Sequence, residues 1–416
     1  MKKTLFFSTI FLICLLFLPV YSNGQTASET YLKRGNVKAF NRDYSGAIAD
    51  YNICLELDPN NGVAYYYRGR SKSHLQDLTG AIDDFNKSIK IDSKVAATYL
   101  IRGNAKLNLQ DYTGARDDYN KAIELDPNDA EAYFYRGHAK SVLHDYSGAI
   151  ADYNICLELG SKINTAAYYY YRGRSKSYLQ DYTGARDDYN KSIELDPNYA
   201  EAYYYRGSAK YVLQDLTGAI DDYNKSIKID SKVSDTYLNR GTAKAELQDY
   251  TGAIADYNKA IELDPNDGEG YYYRGDLKYY LLHDFTGAIE DYTMAIKLNP
   301  NNADAYYYRG KAKSDLSDFT GAIEDYNKAI ELNPKDASRY FVGRGYAKAS
   351  HLQDFTGAIE DYSKAIVLDP KNAEAYFYRG LAKFNLKKED SGCLDFSKAG
   401  ELNYTAVYEY IETFCN

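Results

Sequence analysis

Apolar residues recur along this chain in two short helical blocks, many times over. Between Gly62 and Val95, Ala64-Tyr65-Tyr66-Tyr67-Arg68-Gly69 opens a block whose apolar positions return at steps of three and four. That spacing predicts a helix ending near Leu75. Asp77 then stands where an N-cap belongs, ready to accept bonds from free backbone N–H groups. The next block carries Ala81, Ile82, Phe85, Ser88, Ile89 and Ile91, which line one face of a second helix. The unit closes on Asp92-Ser93.

The pair of blocks repeats. Tyr-x-x-Arg-Gly returns every 34 to 36 residues, at Gly35, Gly69, Gly103, Gly137, Gly173, Gly207, Gly241, Gly275, Gly310, Gly345 and Gly380. The leading residue is Tyr in ten of the eleven units and Phe341 in the other. Pro59, Pro127, Pro197, Pro265, Pro300, Pro334 and Pro370 all fall at the turn between units. Inside either helix, a proline would cost about 3 kcal/mol. Of 29 glycines, 22 occupy two positions per unit: the one after Arg, and the one at Gly46, Gly80, Gly114 and their counterparts. Glycine within a helix costs about 0.5–1 kcal/mol relative to alanine, so its return predicts close helix–helix approach. Ser45 to Leu57 is copied without a difference as Ser147 to Leu159, which suggests growth by internal duplication. A period of this length describes one supersecondary unit stacked many times.

A helix–turn–helix unit with an aromatic at position 4, Gly at 8, Ala at 20, an aromatic at 24, a small residue at 27 and Pro at 32 resembles the tetratricopeptide repeat. The unit from Gly62 supplies Tyr65, Gly69, Ala81, Phe85 and Ser88, with Ser93 in place of Pro. Two departures stand out. Position 11 is Lys in every unit, and position 7 is Arg where the family carries an aliphatic residue. The resemblance implies an all-α, right-handed superhelical solenoid of eleven units over residues 28–402, closed by a C-terminal capping helix over 403–416. It also implies a noncatalytic scaffold that binds a protein or an extended peptide. Family members that clamp acidic C-termini use basic and Asn side chains on the first helix. Position 5 here is Leu, Tyr, Phe or Val throughout, which argues against that mode.

Arg at position 7 accompanies Asp at position 23 in every unit, as in Arg68 with Asp84, Arg172 with Asp188 and Arg309 with Asp325. Either the two charges bridge the helices or each is solvated alone; recurrence favours a structural pair. The resemblance places positions 5, 6, 9, 12 and 13 on the inner, concave groove. The expected ligand-binding residues are Tyr67, Tyr135, Tyr171, Tyr204, Tyr205, Tyr211, Tyr273, Tyr279, Tyr280 and Tyr308. Tyrosine offers an apolar ring with a polar tip, which suits soluble interfaces. Packing between neighbouring first helices is the competing role. A glycan or cell-wall ligand stacked on these rings is the alternative function, weakened by the absence of Trp.

Composition narrows the rest. With 48 tyrosines, a formal charge of −9 and no basic block, nucleic acid is not an expected partner. The five histidines show no metal-binding spacing and no phosphate-binding loop is present, so no cofactor, metal or catalytic site is expected. Lys2 and Lys3 precede an apolar run from Leu5 to Val20 and small polar residues, which reads as a signal peptide over 1–24, cut after Ser22 or Gly24. A retained membrane anchor is the alternative. Export to the periplasm, cell surface or medium follows from the first reading. Cys54 and Cys156 occupy position 27 as small core residues. Cys393 and Cys415 lie equidistant from Tyr404, where the chain must turn into the last helix, and are expected to form a disulfide.

Overall fold

The computed structural model describes residues 24–160 and 165–415. Apart from Gly24, the expected signal segment lies outside the described residues. Those residues form 23 α-helices, one 3₁₀ turn and no strand. The chain is an all-α repeat solenoid. By its contacts it divides into two compact bodies, one to Tyr205 and one from Arg206. Within each, the helices pack in chain order. Helix Tyr44–Leu57 lies against both Gly24–Phe40 and Gly62–His74, and helix Tyr250–Leu263 against both Ser234–Glu246 and Gly268–Tyr280.

Nine of the eleven units join their helices by the same turn; the two that reach Asp284 and Asp354 are one residue longer there. The first helix ends in a residue with left-handed backbone, such as Gln110 at φ 62°. Gln110 N–H bonds the Leu107 carbonyl, and Asp111 N–H bonds the Lys106 carbonyl. This is the Schellman arrangement, which satisfies the carbonyls a helix end leaves free. Asp111 then caps the second helix by accepting from Gly114 N–H. One aspartate thus ends one helix and starts the next. The final unit has Lys388 at this place and no side-chain cap.

Two kinds of glycine serve two different needs. A Cβ on Gly69 would lie 2.7 Å from Phe85 Cε1, and one on Gly103 would lie 2.6 Å from Tyr119 Cε1. These glycines let the position-24 ring reach the first helix, as the close-approach reading required. The other set, apart from Gly392, does not fit that reading. A Cβ on Gly80 would lie 2.2 Å from Asp77 Oδ2, the carboxylate that caps its own helix. Here the glycine makes room for the cap and not for another helix.

The core of each unit is Ala at position 20, an aromatic at 24 and a small residue at 27, as in buried Ala185, Tyr189 and Ser192. Cys54 and Cys156 are buried in the position-27 role and unpaired. Burial pushes the Cys156 thiol up to about 12. At the C-terminus the capping helix is shorter than expected. Asn403 takes a left-handed conformation, a 3₁₀ turn runs Thr405–Val407, and the helix spans only Tyr408–Phe414. Val407 is buried against Phe377, Phe396 and Ala399 of the last unit. Cys393 and Cys415 are bonded, with Cα atoms 5.6 Å apart.

Candidate functional site

Arginine at position 7 meets its aspartate in all eleven units. Arg172 donates from Nε and Nη2 to Asp188 at 2.8 and 2.5 Å, and Arg68 meets Asp84 at 2.8 and 2.6 Å. Arg309 reaches Asp325 at 2.9 and 2.6 Å. The paired fork is the strongest geometry available to these groups. The invariant lysine completes it: Lys176 Nζ lies 2.8 Å from Asp188 Oδ2, the oxygen that also accepts from Arg172 Nε. Lys176 also donates to the Gly184 carbonyl at 3.4 Å. The remaining guanidinium nitrogen reaches back one unit, from Arg172 to Asn154 Oδ1 at 2.7 Å and from Arg68 to Asn52 Oδ1 at 2.7 Å. Asp84 is 1 % exposed, so the carboxylate is removed from water and held by two cations. The lysine was visible in the sequence as an unexplained departure; its partner was not assigned.

The tyrosines form a ladder between units. Each position-6 ring stacks on the position-24 ring of the unit before it: Tyr67 on Tyr51, Tyr135 on Tyr119, Tyr171 on Tyr153 and Tyr205 on Tyr189, with centroids 6.0 to 6.4 Å apart. Tyr273 on Tyr257 and Tyr308 on Tyr292 repeat the arrangement at 6.0 and 6.2 Å. All six upper rings are half-buried. They therefore join the units and still present part of their surface. Position-5 rings sit deeper, edge-on to position 6, as Tyr204 does to Tyr205 at 4.9 Å.

Positions 12 and 13 divide. Tyr280 is 47 % exposed and edge-on to Tyr308. Tyr211 is half-buried and donates its hydroxyl to Glu246. Tyr279 departs from its expected place on a binding surface. It is 7 % exposed, packed on Phe285, and its hydroxyl donates to Asp315 at 2.5 Å. Its ring fills a gap beside the following unit and has little surface left for a ligand.

In several units position 9 answers the core tyrosine. Tyr51 donates to Asn36 and Tyr119 to Asn104, both at 2.8 Å, and Tyr292 donates to Asp276 at 2.7 Å. The hydroxyl of a buried tyrosine needs an acceptor, so the residue opposite it is constrained. Among the described residues no cluster of His, Cys, Asp or Glu is arranged to hold a metal ion, and no helix is long and apolar enough to cross a membrane.

Family models find the same period. One described as TPR repeat matches residues 103–141, 173–214, 277–316 and 351–387. Two described as Tetratricopeptide repeat match 234–267 and 303–336, and 32–96. The chain belongs to the tetratricopeptide repeat family. Its Arg–Asp–Lys triads are thus set into repeats of this family at positions 7, 23 and 11. No curated protein matches the chain. Among solved structures it is similar to yeast Tom70, at 20 % identity over 93 % of this chain and 95 % of that one, with a TM-score of 0.41. It is also similar to the C-terminal part of a TPR repeat-containing protein from Cytophaga hutchinsonii (21 % identity, 58 % and 97 % covered, TM-score 0.49). YrrB, a TPR protein with an unusual peptide-binding site, is 24 % identical over 45 % of this chain and 95 % of its own, with a TM-score of 0.39. Repeats of this family build scaffolds for contact between proteins.

Proposed function

We propose that this protein is an exported, noncatalytic scaffold that binds a protein or extended peptide across the tyrosine-bearing face of its first helices. One observation carries the reading. The position-6 rings are half-buried and stand at the same place in seven of the eleven units, so a like amphipathic surface is offered along much of the array. The rings are fixed by stacking before any partner arrives, which lowers the ordering cost of binding. Export rests on the charged and apolar order of the first two dozen residues.

Two measurements test this. The mature protein should lack the residues before Asn23 or Gln25 by intact mass; an uncut chain in the membrane fraction defeats export by cleavage. Capture of a partner from envelope extract should be lost in Tyr135→Ala with Tyr205→Ala, or in Tyr273→Ala with Tyr280→Ala, while helical circular dichroism persists. Capture that survives both pairs, or retention on cell-wall polysaccharide in place of protein, would overturn the reading.

A further inference from the structure

Two pockets in the body that ends at Tyr205 are built to one plan. The first, of about 260 Å³, is lined at positions 9, 12, 13 and 17 of one unit by Asn36, Ala39, Phe40 and Tyr44, and at 6, 9 and 13 of the next by Tyr67, Arg70 and His74. The second, of about 230 Å³, uses those same positions three units later. His138, Ser141, Val142 and Tyr146 face Tyr171, Arg174 and Tyr178 there. In both, two rings stack at the rim: Tyr44 on His74 at 4.4 Å and Tyr146 on Tyr178 at 4.6 Å. Neither pocket is lined by a carboxylate.

The arginines are the unusual members. Every position-7 arginine has its aspartate, whereas Arg70 and Arg174 have no acidic partner among the described residues. Arg70 lies over the Tyr66 ring at 5.7 Å. Arg174 lies over Tyr205 at 5.0 Å and donates to the Tyr178 hydroxyl at 3.4 Å. The surroundings are matched to the cations. At Asn36, Asn104 and Asp276 position 9 accepts the core tyrosine's hydroxyl, which a guanidinium cannot do. Opposite Arg70 the core residue is Phe85, with no hydroxyl to satisfy. Opposite Arg174 the Tyr189 hydroxyl turns to Ser177 at 3.2 Å. The corresponding pocket of the other body, lined by Ser208, Tyr211, Asn239 and Thr242, holds no cation. Position 9 carries one further Lys or Arg, Lys311, over the Tyr279 and Tyr280 rings at 5.4 Å, so a cation stands there in three of the eleven units.

We infer that the two pockets are equivalent subsites for carboxylate side chains of one extended acidic peptide. This rests on the scaffold reading and names the chemistry of its partner. An aromatic-walled guanidinium without a counter-ion attracts an anion locally, against a net charge of −9 over the chain. Its planar fork fits a carboxylate with two bonds. Repetition at a fixed offset of three units suits a ligand that is itself extended. Position 5 is apolar throughout, so the cation comes from position 9 and not from the clamp known in this repeat family.

The test uses the full chain and a fluorescein-labelled peptide of alternating Glu and Ala, read by anisotropy. The Gln-Ala counterpart should bind about tenfold more weakly. Arg70→Gln and Arg174→Gln should each weaken the Glu peptide about tenfold, and the pair should remove binding. Arg116→Gln, at an exposed arginine already paired with Asp117, should change nothing. Arg70 is exposed, so its variant folds and decides the matter even if Arg174→Gln unfolds locally. Equal binding of the two peptides, an unaffected Arg70→Gln, or binding of polygalacturonate in place of the peptide would overturn the inference. If the arginine variants still capture a partner that the tyrosine variants lose, the scaffold stands and the carboxylate subsites fall. If neither set loses it, both fall.

Discussion

Asp188 shows what a single residue does in this protein. It is 4 % exposed and held by Arg172 and Lys176 from the first helix of its unit. Taking such a charge out of water is costly, and only close, complete pairing offsets it. Removing the aspartate leaves two cations facing each other with no anion. Asp188→Asn should therefore cost about 3–5 kcal/mol of local stability. A double-mutant cycle between Arg172 and Asp188 checks this, and absence of coupling would refute it. Asp276 is the opposite case. Its carboxyl is pushed up to about 6, first by burial and further by the charge of Asp304, against the hydroxyls of Tyr292 and Tyr272 that hold it down. A raised value means the folded state binds the proton more tightly than the unfolded one. The contribution is present below the ordinary value of 3.8 and is lost as pH rises through about 6. Asn36 and Asn104 already play this acceptor role elsewhere without a charge. Asp276→Asn should raise stability at neutral pH by on the order of 2 kcal/mol and flatten its pH dependence. Denaturant melts of both proteins across that range measure it; parallel pH profiles would count against it.

At the scale of the helix, the sequence announced its elements but not its turns. Period, proline placement and Asp caps marked where each helix lies, because those signals are local and recur from unit to unit. The left-handed residue before each cap was hidden, since it is Gln, His, Arg, Ser or Lys and never glycine. That conformation is disfavoured for any residue with a Cβ. Gln110→Gly should therefore stabilise its unit by about 0.5–1 kcal/mol, seen as a higher melting temperature. A lower one would mean that the Gln110 side chain contributes more than its backbone costs. The site was legible to a similar degree. The Arg–Asp spacing pointed to a pair, and position 6 pointed to aromatic surface. Tyr279 could not be placed, because its burial depends on Phe285 and Asp315 in neighbouring elements. At the C-terminus, the bond from Cys393 to Cys415 closes a loop of 22 residues. In the chain-entropy model that contributes about 3 kcal/mol. Reduction should loosen the end of the last unit first, and thiol labelling without reductant would show the bond absent.

Over the whole molecule, stability is a sum of local terms. Each unit buries its apolar face only against its neighbours, so nothing requires a distant unit to respond when one is weakened. The ties that cross unit boundaries are short: a ring on a ring, as Tyr378 on Tyr362 at 5.9 Å, and an arginine on the asparagine before it, as Arg344 on Asn327 at 2.5 Å. A defect should therefore spread one unit and stop. Asp361→Asn breaks a triad with Arg344 and Lys348, whose oxygens lie 2.6 and 2.7 Å from those cations. Hydrogen exchange should accelerate in helices Ser338–Leu352, Phe355–Leu368 and their immediate neighbours. Helices Ser234–Glu246 and Tyr250–Leu263, in the same body, should keep their wild-type rates. Such graded opening is what separates a repeat array from a cooperative globule, whose protected amides respond together. Uniform acceleration across residues 206–415 would show that this body unfolds as one unit, and the additive picture would fail.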